Sequence, residues 1–309
     1  MRAVVFGYSN VGDRCLRVLR ARGIEVPLVV THRDPAGEPV WFECVADTAT
    51  DLGLAFVYGD DPLDPALRQA VAEARPDAIF SFYYRSLLPV AILDLAPRGA
   101  FNMHGSLLPH YRGRAPTNWA IVRGEQETGV TLHEMVAKAD AGRIVDQQSV
   151  PILPDDTARQ VFDKVTVAAE QVLWRSAPAI AAGEVRFRPN DVAVGSYFGR
   201  RTPEDGRIDW TRAAARTYDL IRAVAPPYPG AFTELAGVRL VIVSARLGAE
   251  APAAVAERRG LQVVDGRLVA VCGDGRTIVI RELRAGAEPV GLDRLTALLA
   301  AHRAAGERP

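Results

Sequence analysis

Hydrogen-bonding side chains cluster where an apolar segment ends, in the run F-N-M-H-G-S-L-L-P that begins at Phe101. In an extended strand, alternate side chains point to opposite faces, so Asn102 and His104 share a face opposite Phe101 and Met103. An amide can donate a hydrogen bond to a developing oxyanion, and an imidazole can move a proton near neutral pH. The pair therefore predicts acyl-transfer chemistry. Taken alone, a histidine of this kind is more often a buried ring satisfied by the backbone.

A carboxylate follows the next predicted strand, at Asp140 in the run V-A-K-A-D-A-G. Apolar alternation over residues 130–135 predicts that strand, so Asp140 lies in the loop after it. A carboxylate close to an imidazole orients the ring and favours its protonated form. An aspartate before Ala-Gly is also a common turn former. We nevertheless expect Asp140 to join Asn102 and His104 as the third member of one catalytic group.

Together with the run Y-R-G-R-A-P that begins at Tyr111, these motifs resemble the formyltransferases that use 10-formyltetrahydrofolate. Further similarity over residues 79–85, 118–142 and 198–203 resembles the UDP-4-amino-4-deoxy-L-arabinose formyltransferases, the formyl-transferring part of bifunctional polymyxin-resistance proteins. The resemblance is close up to about residue 200 and looser beyond it. It implies formyl transfer to the 4-amino group of that nucleotide sugar, a step in lipid A modification.

The resemblance also assigns roles to single residues. His104 corresponds to the proton-handling group, Asn102 to the donor that holds the tetrahedral oxyanion, and Asp140 to the carboxylate that orients His104. The co-substrate implied is 10-formyltetrahydrofolate, with no metal. A serine stands at position 86 where sugar-specific relatives have a histidine. The resemblance places the folate against Ser86, Leu87, Leu88, Arg114, Val136, Ala137, Lys138 and Ala139.

A second set of residues is suited to a uridine diphosphate. Aromatic rings can stack on the base and guanidinium groups can pair with the phosphates. For Arg200 and Arg201, an ion-pair cluster between domains is an equally good interpretation. The residues expected to bind the nucleotide sugar are Tyr83, Tyr84, Arg85, Arg200 and Arg201.

Composition is consistent with a soluble protein of two domains. The 309 residues are 49% hydrophobic, and 37 basic and 37 acidic residues cancel to a net charge of zero. A neutral chain has no general attraction for polyanions. The three cysteines lack metal-binding or redox spacing, which predicts reduced thiols and a cytoplasmic location. Met1 and Arg2 lead directly into an apolar strand, and no later apolar run is long enough to insert in a membrane.

Strands and helices alternate over the first hundred residues. This alternation predicts an α/β fold with a Rossmann-like, doubly wound and mostly parallel sheet. Gly7 and Gly12 lack the middle glycine of a dinucleotide-binding motif, because Ser9 stands there. Ligands of such sheets bind beyond the carboxyl ends of the strands, where Asn102 and His104 fall. The predicted strands are 3–6, 27–31, 56–58, 78–82 and 100–103, and the predicted helices 11–22, 42–52, 65–74 and 89–95.

The remainder of the chain changes character. Thr157 and Gln160 resemble a capping box that opens a helix to about residue 180, and residues 189–197 are interpreted as a linker. Asp-Gly pairs between short apolar runs predict hairpins, hence a small OB-like β-barrel followed by a terminal helix at 292–302. We expect a catalytic domain at 1–203 and a barrel domain at 204–309. The predicted strands of the barrel are 232–235, 238–245, 261–264, 267–272 and 277–283.

Four other functions compete with this interpretation. A methionyl-tRNA formyltransferase would need positive charge, yet eight acidic and no basic residues lie between Arg33 and Arg68. A formyltransferase for another nucleotide-linked amino sugar and a non-catalytic folate or nucleotide-sugar sensor are also possible. A metallohydrolase would use His104, His110, His133 and Asp140, which lack a recognised ligand spacing. The bifunctional relatives carry a decarboxylating dehydrogenase, which we expect here on a separate polypeptide.

Overall fold

The apolar segments of the first half of the chain form a sheet in a computed structural model that describes residues 1–34, 37 and 40–304. Glu38, one of the acidic residues noted above, lies outside the described residues. Most predicted strands and helices agree with the structure to within a few residues. In chain order the elements are β1 (Arg2–Gly7), α1 (Ser9–Ala21), β2 (Glu25–Thr31), α2 (Val45–Asp51), β3 (Phe56–Tyr58), α3 (Pro65–Glu73), β4 (Ala78–Phe82), α4 (Val90–Leu93), β5 (Ala100–His104), β6 (Arg112–Gly113), α5 (Pro116–Arg123), β7 (Glu127–Glu134), β8 (Ile144–Pro151), α6 (Ala158–Ala182) and β9 (Tyr197–Phe198).

Seven of these strands form one sheet in the order β3-β2-β1-β4-β5-β7-β8. The first five run parallel, β7 is antiparallel to β5, and β8 is antiparallel to β7. The residues of β4 and most of those of β1 are buried, as expected for strands covered on both faces by helices. The predicted Rossmann-like, mostly parallel sheet is confirmed.

Gly7 and Gly12 have a packing role at the turn between β1 and α1. A Cβ atom on Gly12 would lie 2.9 Å from Cγ2 of Val45 and 3.0 Å from the carbonyl carbon of Gly7. These distances are shorter than a methyl group tolerates, so the helix can approach the strand only because position 12 is glycine. Close packing explains the glycine at position 12 without a dinucleotide.

The chain forms two units that differ from the predicted continuous division at residue 203. The first comprises Met1–Pro116, Glu127–Pro151 and Phe162–Gly199, and the second comprises Thr117–Gln126, Ile152–Val161 and the chain from Arg200 onwards. Two short segments that precede residue 200 in the sequence thus belong to the second unit. The start of α6 is capped as predicted, since the Thr157 N–H donates to Oε1 of Gln160 at 2.9 Å.

The last hundred residues form a second, antiparallel sheet. Its order is β10-β11-β14-β13-β12, with β15 added to β14, and it makes a half-barrel rather than a closed one. The Asp265-Gly266 pair has positive φ at both residues, as a tight hairpin turn requires, and joins β12 to β13. The elements are a 3-10 helix (Pro203–Gly206), α7 (Ala214–Ala223), β10 (Ala231–Leu235), β11 (Val238–Glu250), β12 (Gly260–Val264), β13 (Arg267–Val271), β14 (Arg276–Ala285), β15 (Glu288–Pro289) and α8 (Leu292–Ala304).

Among the described residues, the helices include none with the length and apolar character needed to cross a bilayer.

Candidate active site

The end of β5 presents Asn102 and His104 on one face of the sheet. Phe101 and Met103, which alternate with them, are each 1% exposed. The antiparallel strand β7 places His133 directly opposite Asn102, and the amide nitrogen of Asn102 lies 3.1 Å from Nε2 of His133. The structure therefore adds a buried histidine to the two residues that the sequence indicates.

Asp140 reaches the same face from the loop after β7. Its Oδ1 lies 3.5 Å from Nδ1 of His104 and 3.5 Å from Nε2 of His133. Its Oδ2 accepts a hydrogen bond of 2.8 Å from the Gly113 N–H. One carboxylate thus contacts both imidazoles and a backbone donor, and the three residues predicted to act together lie together.

The charges of this group follow from burial and hydrogen bonding. Burial alone would raise the pKa of Asp140, but His104, His133 and the Gly113 N–H together hold that pKa well below its ordinary range. Burial lowers the pKa of His104, while the Asp140 carboxylate and the Tyr111 carbonyl act in the opposite direction. Near neutral pH, Asp140 is therefore an anion and His104 is free to accept a proton.

His104 has a hydrogen-bond acceptor at each ring nitrogen. Nε2 donates to the Tyr111 carbonyl at 2.8 Å, and Nδ1 faces Asp140. Only the protonated ring can donate at both positions, whereas burial opposes its charge. These opposed effects are what a group needs in order to take up a proton and then release it.

His133 orients Asn102. Its Nδ1 donates to the Glu134 carbonyl at 2.8 Å, and its Nε2 lies 3.1 Å from the amide nitrogen of Asn102 and 3.5 Å from Oδ1 of Asp140. The second amide hydrogen of Asn102 remains for a ligand oxygen. The sequence alone indicates His133 only as a candidate metal ligand. Alternation in β7 puts it on a face with Thr131, but no local sequence pattern predicts the pairing of β7 with β5.

The loop that follows β5 is held by β7 and β8. Thr131 Oγ1 donates to the Ser106 carbonyl at 2.7 Å and accepts from the Leu108 N–H at 3.0 Å. The Gln147 amide donates to the Leu108 carbonyl at 2.8 Å. These buried contacts explain why the loop beside His104 has a defined conformation.

The residues predicted to bind folate occupy the loops after β4 and β7, together with Arg114 in the short segment after β6. Leu88, after β4, and Met135, after β7, pack against the same core cluster, which includes Tyr84 and Ile92. Their neighbours Leu87 and Val136 are instead 71% and 42% exposed. Ala137, Lys138 and Arg114 are exposed, and Ser86 and Ala139 are half-buried. The loops after β4 and β7 thus pack against the same core cluster, and each presents an apolar side chain to solvent.

The residues predicted to bind a nucleotide need one correction. Tyr84 is buried, its ring is stacked on His32 with centroids 4.1 Å apart, and its hydroxyl donates to the Gly59 carbonyl. A covered ring cannot stack on a base, so Tyr84 belongs to the core. Tyr83 is half-buried and its ring centroid lies 5.7 Å from that of Phe162, and the guanidinium of Arg85 lies 5.4 Å from the Tyr8 ring centre.

Arg200 and Arg201 belong to the second unit. Arg201 lies over the Trp119 ring at 4.6 Å and donates to the Asp205 carbonyl at 2.9 Å. Burial lowers the pKa of Arg201, and Asp205 opposes that effect. Arg200 is exposed. Arg201 therefore already has partners inside its own unit, while the side chain of Arg200 is open to solvent.

The metallohydrolase alternative named His104, His110, His133 and Asp140. Within the part of the chain that the structure describes, no group of three or more His, Cys, Asp or Glu side chains is arranged to hold a metal ion. Of the four, the two histidines 104 and 133 engage backbone carbonyls with one nitrogen each.

Comparison with known families decides the class. The model of the formyl transferase family matches residues 1–176, and the model of the formyl transferase C-terminal domain matches residues 200–295. The chain belongs to the formyl transferase family. Membership confirms the resemblance seen in the motifs around Asn102 and Asp140, at the level of the family.

Solved structures share the fold over both domains. An N-formyltransferase from Helicobacter canadensis, in complex with folinic acid and dTDP-3-aminofucose, is 20% identical with a TM-score of 0.72 over 90% of this chain and 98% of that one. WlaRD, a sugar 3N-formyl transferase solved with dTDP and 5-N-formyl-THF, is 19% identical with a TM-score of 0.70 over 91% of this chain and 97% of that one. HypX from Aquifex aeolicus, in complex with tetrahydrofolic acid, is 20% identical with a TM-score of 0.64 over 97% of this chain and 47% of that one.

Proposed function

We propose that this protein transfers the formyl group of 10-formyltetrahydrofolate to an amino group of a nucleotide-linked sugar. The observation that carries the proposal is the contact of Asn102, His104, His133 and Asp140 at the end of β5, in a chain of the formyl transferase family. The group combines an oxyanion donor, a proton carrier and a buried carboxylate.

The reaction needs no nucleophilic side chain. The unprotonated amine of the sugar attacks the formyl carbon, and the Asn102 amide donates to the oxygen that becomes negative. His104 takes the proton that the attacking nitrogen must lose and gives it to the folate nitrogen as the carbon–nitrogen bond breaks. The products are a formamide and tetrahydrofolate. Asp140 stabilises the imidazolium that exists between the two transfers.

The exposed apolar side chains beside the site support folate as the donor. Leu87 and Val136 are large apolar residues in solvent, which a flat pteridine would cover. Backbone groups of residues 136–139 would then read its polar edge. The related structures named above contain folinic acid, 5-N-formyl-THF or tetrahydrofolic acid, which supports the same class of donor here.

For the acceptor we propose UDP-4-amino-4-deoxy-L-arabinose, on the similarity of residues 79–85 and 198–203 to enzymes for that sugar. The second candidate is another nucleotide-linked amino sugar, because the Helicobacter canadensis protein and WlaRD contain dTDP-linked aminofucose and dTDP. Tyr83 and Arg85 remain the proposed contacts in the first unit and Arg200 the proposed phosphate contact in the second. The three cysteines are free, which supports a reducing, cytoplasmic compartment.

The acidic surface disfavours tRNA as the acceptor. Seven carboxylates of the stretch between Arg33 and Arg68 are exposed, and a polyanion would be repelled from them. The exposed residues are Asp34, Glu43, Asp47, Asp51, Asp60, Asp61 and Asp64.

The test is incubation with 10-formyltetrahydrofolate and a panel of UDP- and dTDP-linked amino sugars, with mass spectrometry for the gain of one formyl group. We expect formylation of at least one nucleotide sugar, fastest for UDP-4-amino-4-deoxy-L-arabinose. His104→Ala is the matched inactive control. A different fastest sugar would replace the proposed acceptor, and formylation of methionyl-tRNA with none of the sugars would refute the proposed function.

A further inference from the structure

Residues 190–198, named the strap here, correct the prediction of a linker at 189–197. β9 pairs in parallel with β6, so that Tyr197 lies beside Arg112 and Phe198 beside Gly113. Backbone hydrogen bonds join Arg112 to Ser196 at 3.0 Å and Arg114 to Phe198 at 2.9 Å. The strap and the loop after β5 belong to the same unit. This segment is therefore part of the fold around the site.

The approach of the strap to that loop is unusually close. A Cβ atom on Gly195 would lie 2.1 Å from the Pro109 carbonyl oxygen, and one on Gly113 would lie 2.2 Å from the Phe198 carbonyl oxygen. Both distances are well inside van der Waals contact, so only glycine fits at either position. The sequence has glycine on both sides of the contact, which indicates that the backbones must meet there.

Two strap side chains hydrogen-bond to the backbone of Tyr111, which contacts His104, and to the backbone of Asp140. Ser196 Oγ accepts from the Tyr111 N–H at 2.8 Å, and the Tyr111 carbonyl accepts from Nε2 of His104. The Asn190 amide donates to the carbonyls of Asp140 at 3.0 Å and Gly142 at 2.9 Å. Asn190 thus binds the backbone of Asp140 directly, and Ser196 is linked to His104 through Tyr111.

Tyr111 and Asp140 both have backbone conformations that need such support. Their φ values are 56° and 51°, in the left-handed region that residues with a side chain rarely adopt. Conformations of this kind persist only where the surroundings hold them, and they are common at functional sites. The two left-handed residues that contact His104 are each bound by a strap side chain.

We propose that Ser196 and Asn190 are positioning residues for proton transfer: Ser196 fixes the Tyr111 carbonyl against one nitrogen of His104, and Asn190 fixes the Asp140 loop against the other. The proposal rests on the proposed function for its effect on rate, but not for its effect on the imidazole. Neither side chain touches the reacting atoms.

The acid–base behaviour of His104 reports on this role. The charged and titratable groups that face its ring are Asp140, from the loop after β7, and His133, from β7 itself. Asp140 and the Tyr111 carbonyl oppose the lowering of the His104 pKa by burial. Loss of either strap contact lets one acceptor move away, so the pKa of His104 should fall further.

The experiment compares Ser196→Ala and Asn190→Ala with the wild-type chain. Ser149→Ala, at an exposed serine of β8, is the matched control, and Ser196→Thr keeps the hydroxyl. Turnover at saturating substrates and KM are measured, and the imidazole of His104 is titrated by nitrogen-15 NMR with His104→Gln for assignment. The chain has five histidines, so the signals can be resolved.

We expect each alanine variant to lose about tenfold to a hundredfold in kcat, as a displacement on the order of 1 Å would cause. KM should stay within about threefold of the wild-type value, because neither side chain touches the reacting atoms. The His104 titration should move to lower pH, and Ser196→Thr should restore both. Normal kcat with an unchanged titration in both folded variants would overturn the proposal. If the wild-type chain transfers no formyl group, the proposed function fails while the NMR titration still tests the strap. If an alanine variant does not fold, Ser196→Cys, a substitution of similar size with a weak acceptor, must show the same shift or the proposal fails.

Discussion

Asp140→Asn isolates the charge of the buried carboxylate. Asparagine keeps the shape and can still accept the Gly113 N–H, but it no longer stabilises a positive His104. With Oδ1 of Asp140 3.5 Å from Nδ1 of His104, two unit charges attract by about 4 to 5 kcal/mol at an effective dielectric constant of roughly 20. This is an upper limit of about three factors of ten in rate. We therefore expect kcat to fall by about a hundredfold to a thousandfold.

The pH profile of the same variant shows in which direction the pKa of His104 moves. His104 must be unprotonated to accept the amine proton, so activity is lost as the pH falls through the pKa of His104, which burial places below the ordinary value of 6.5. Removing the Asp140 charge lowers that pKa further, so the acid limb of kcat should move to lower pH while the plateau drops. Turnover is measured from pH 4 to 9 with circular dichroism at each point. An acid limb that stays in place or moves to higher pH, or a plateau within about threefold of wild type, would refute the reasoning.

Three further predictions follow from the site. Asn102→Ala removes the oxyanion donor, so kcat should fall by about a hundredfold to a thousandfold with an unchanged circular dichroism spectrum. A loss no larger than that of the control Ser149→Ala would contradict the assignment. Leu87→Ala should raise the KM for 10-formyltetrahydrofolate by about tenfold, because a side chain that is 71% exposed gains its burial from the ligand; the KM for the sugar and the melting temperature should stay constant. Filter binding to initiator tRNA at moderate salt should detect no tight association, and salt-dependent retention would revive tRNA as an acceptor.

Much of the fold was predictable because local patterns determine it. Buried strands such as β4 appear as continuous apolar runs, and the predicted bounds 78–82 agree with the structure. The capping pair Thr157 and Gln160 marks the start of α6 correctly. Asp-Gly pairs located the hairpins of the half-barrel, although β11 continues to Glu250, beyond its predicted end at 245.

What the sequence did not show depends on contacts between distant segments. The two-residue strands β6 and β9 have no periodicity of their own, and they exist because the strap meets the loop after β5. His133 joins the site only through the antiparallel pairing of β7 with β5. Tyr84, next to Arg85, was predicted to bind the nucleotide from its residue type alone. Tertiary packing instead places its ring against His32. Asp140 was predictable from its motif, whereas its left-handed backbone was not.

The antiparallel direction of β7 affects how the ligand specificity of such an enzyme can change. Because Asn102 and His133 face each other across a hydrogen-bonded strand pair, the core of the chemistry is carried by the sheet itself. The residues proposed to recognise ligands lie outside that ladder, in loops and in the second unit. Ligand recognition can therefore change through loop replacement, insertion or domain exchange while the geometry of Asn102 and His133 stays the same. A chimaera that keeps β5, β7, the loops that follow these two strands and the strap, and takes its other loops from a relative, should inherit the relative's acceptor and retain this chain's formyl transfer.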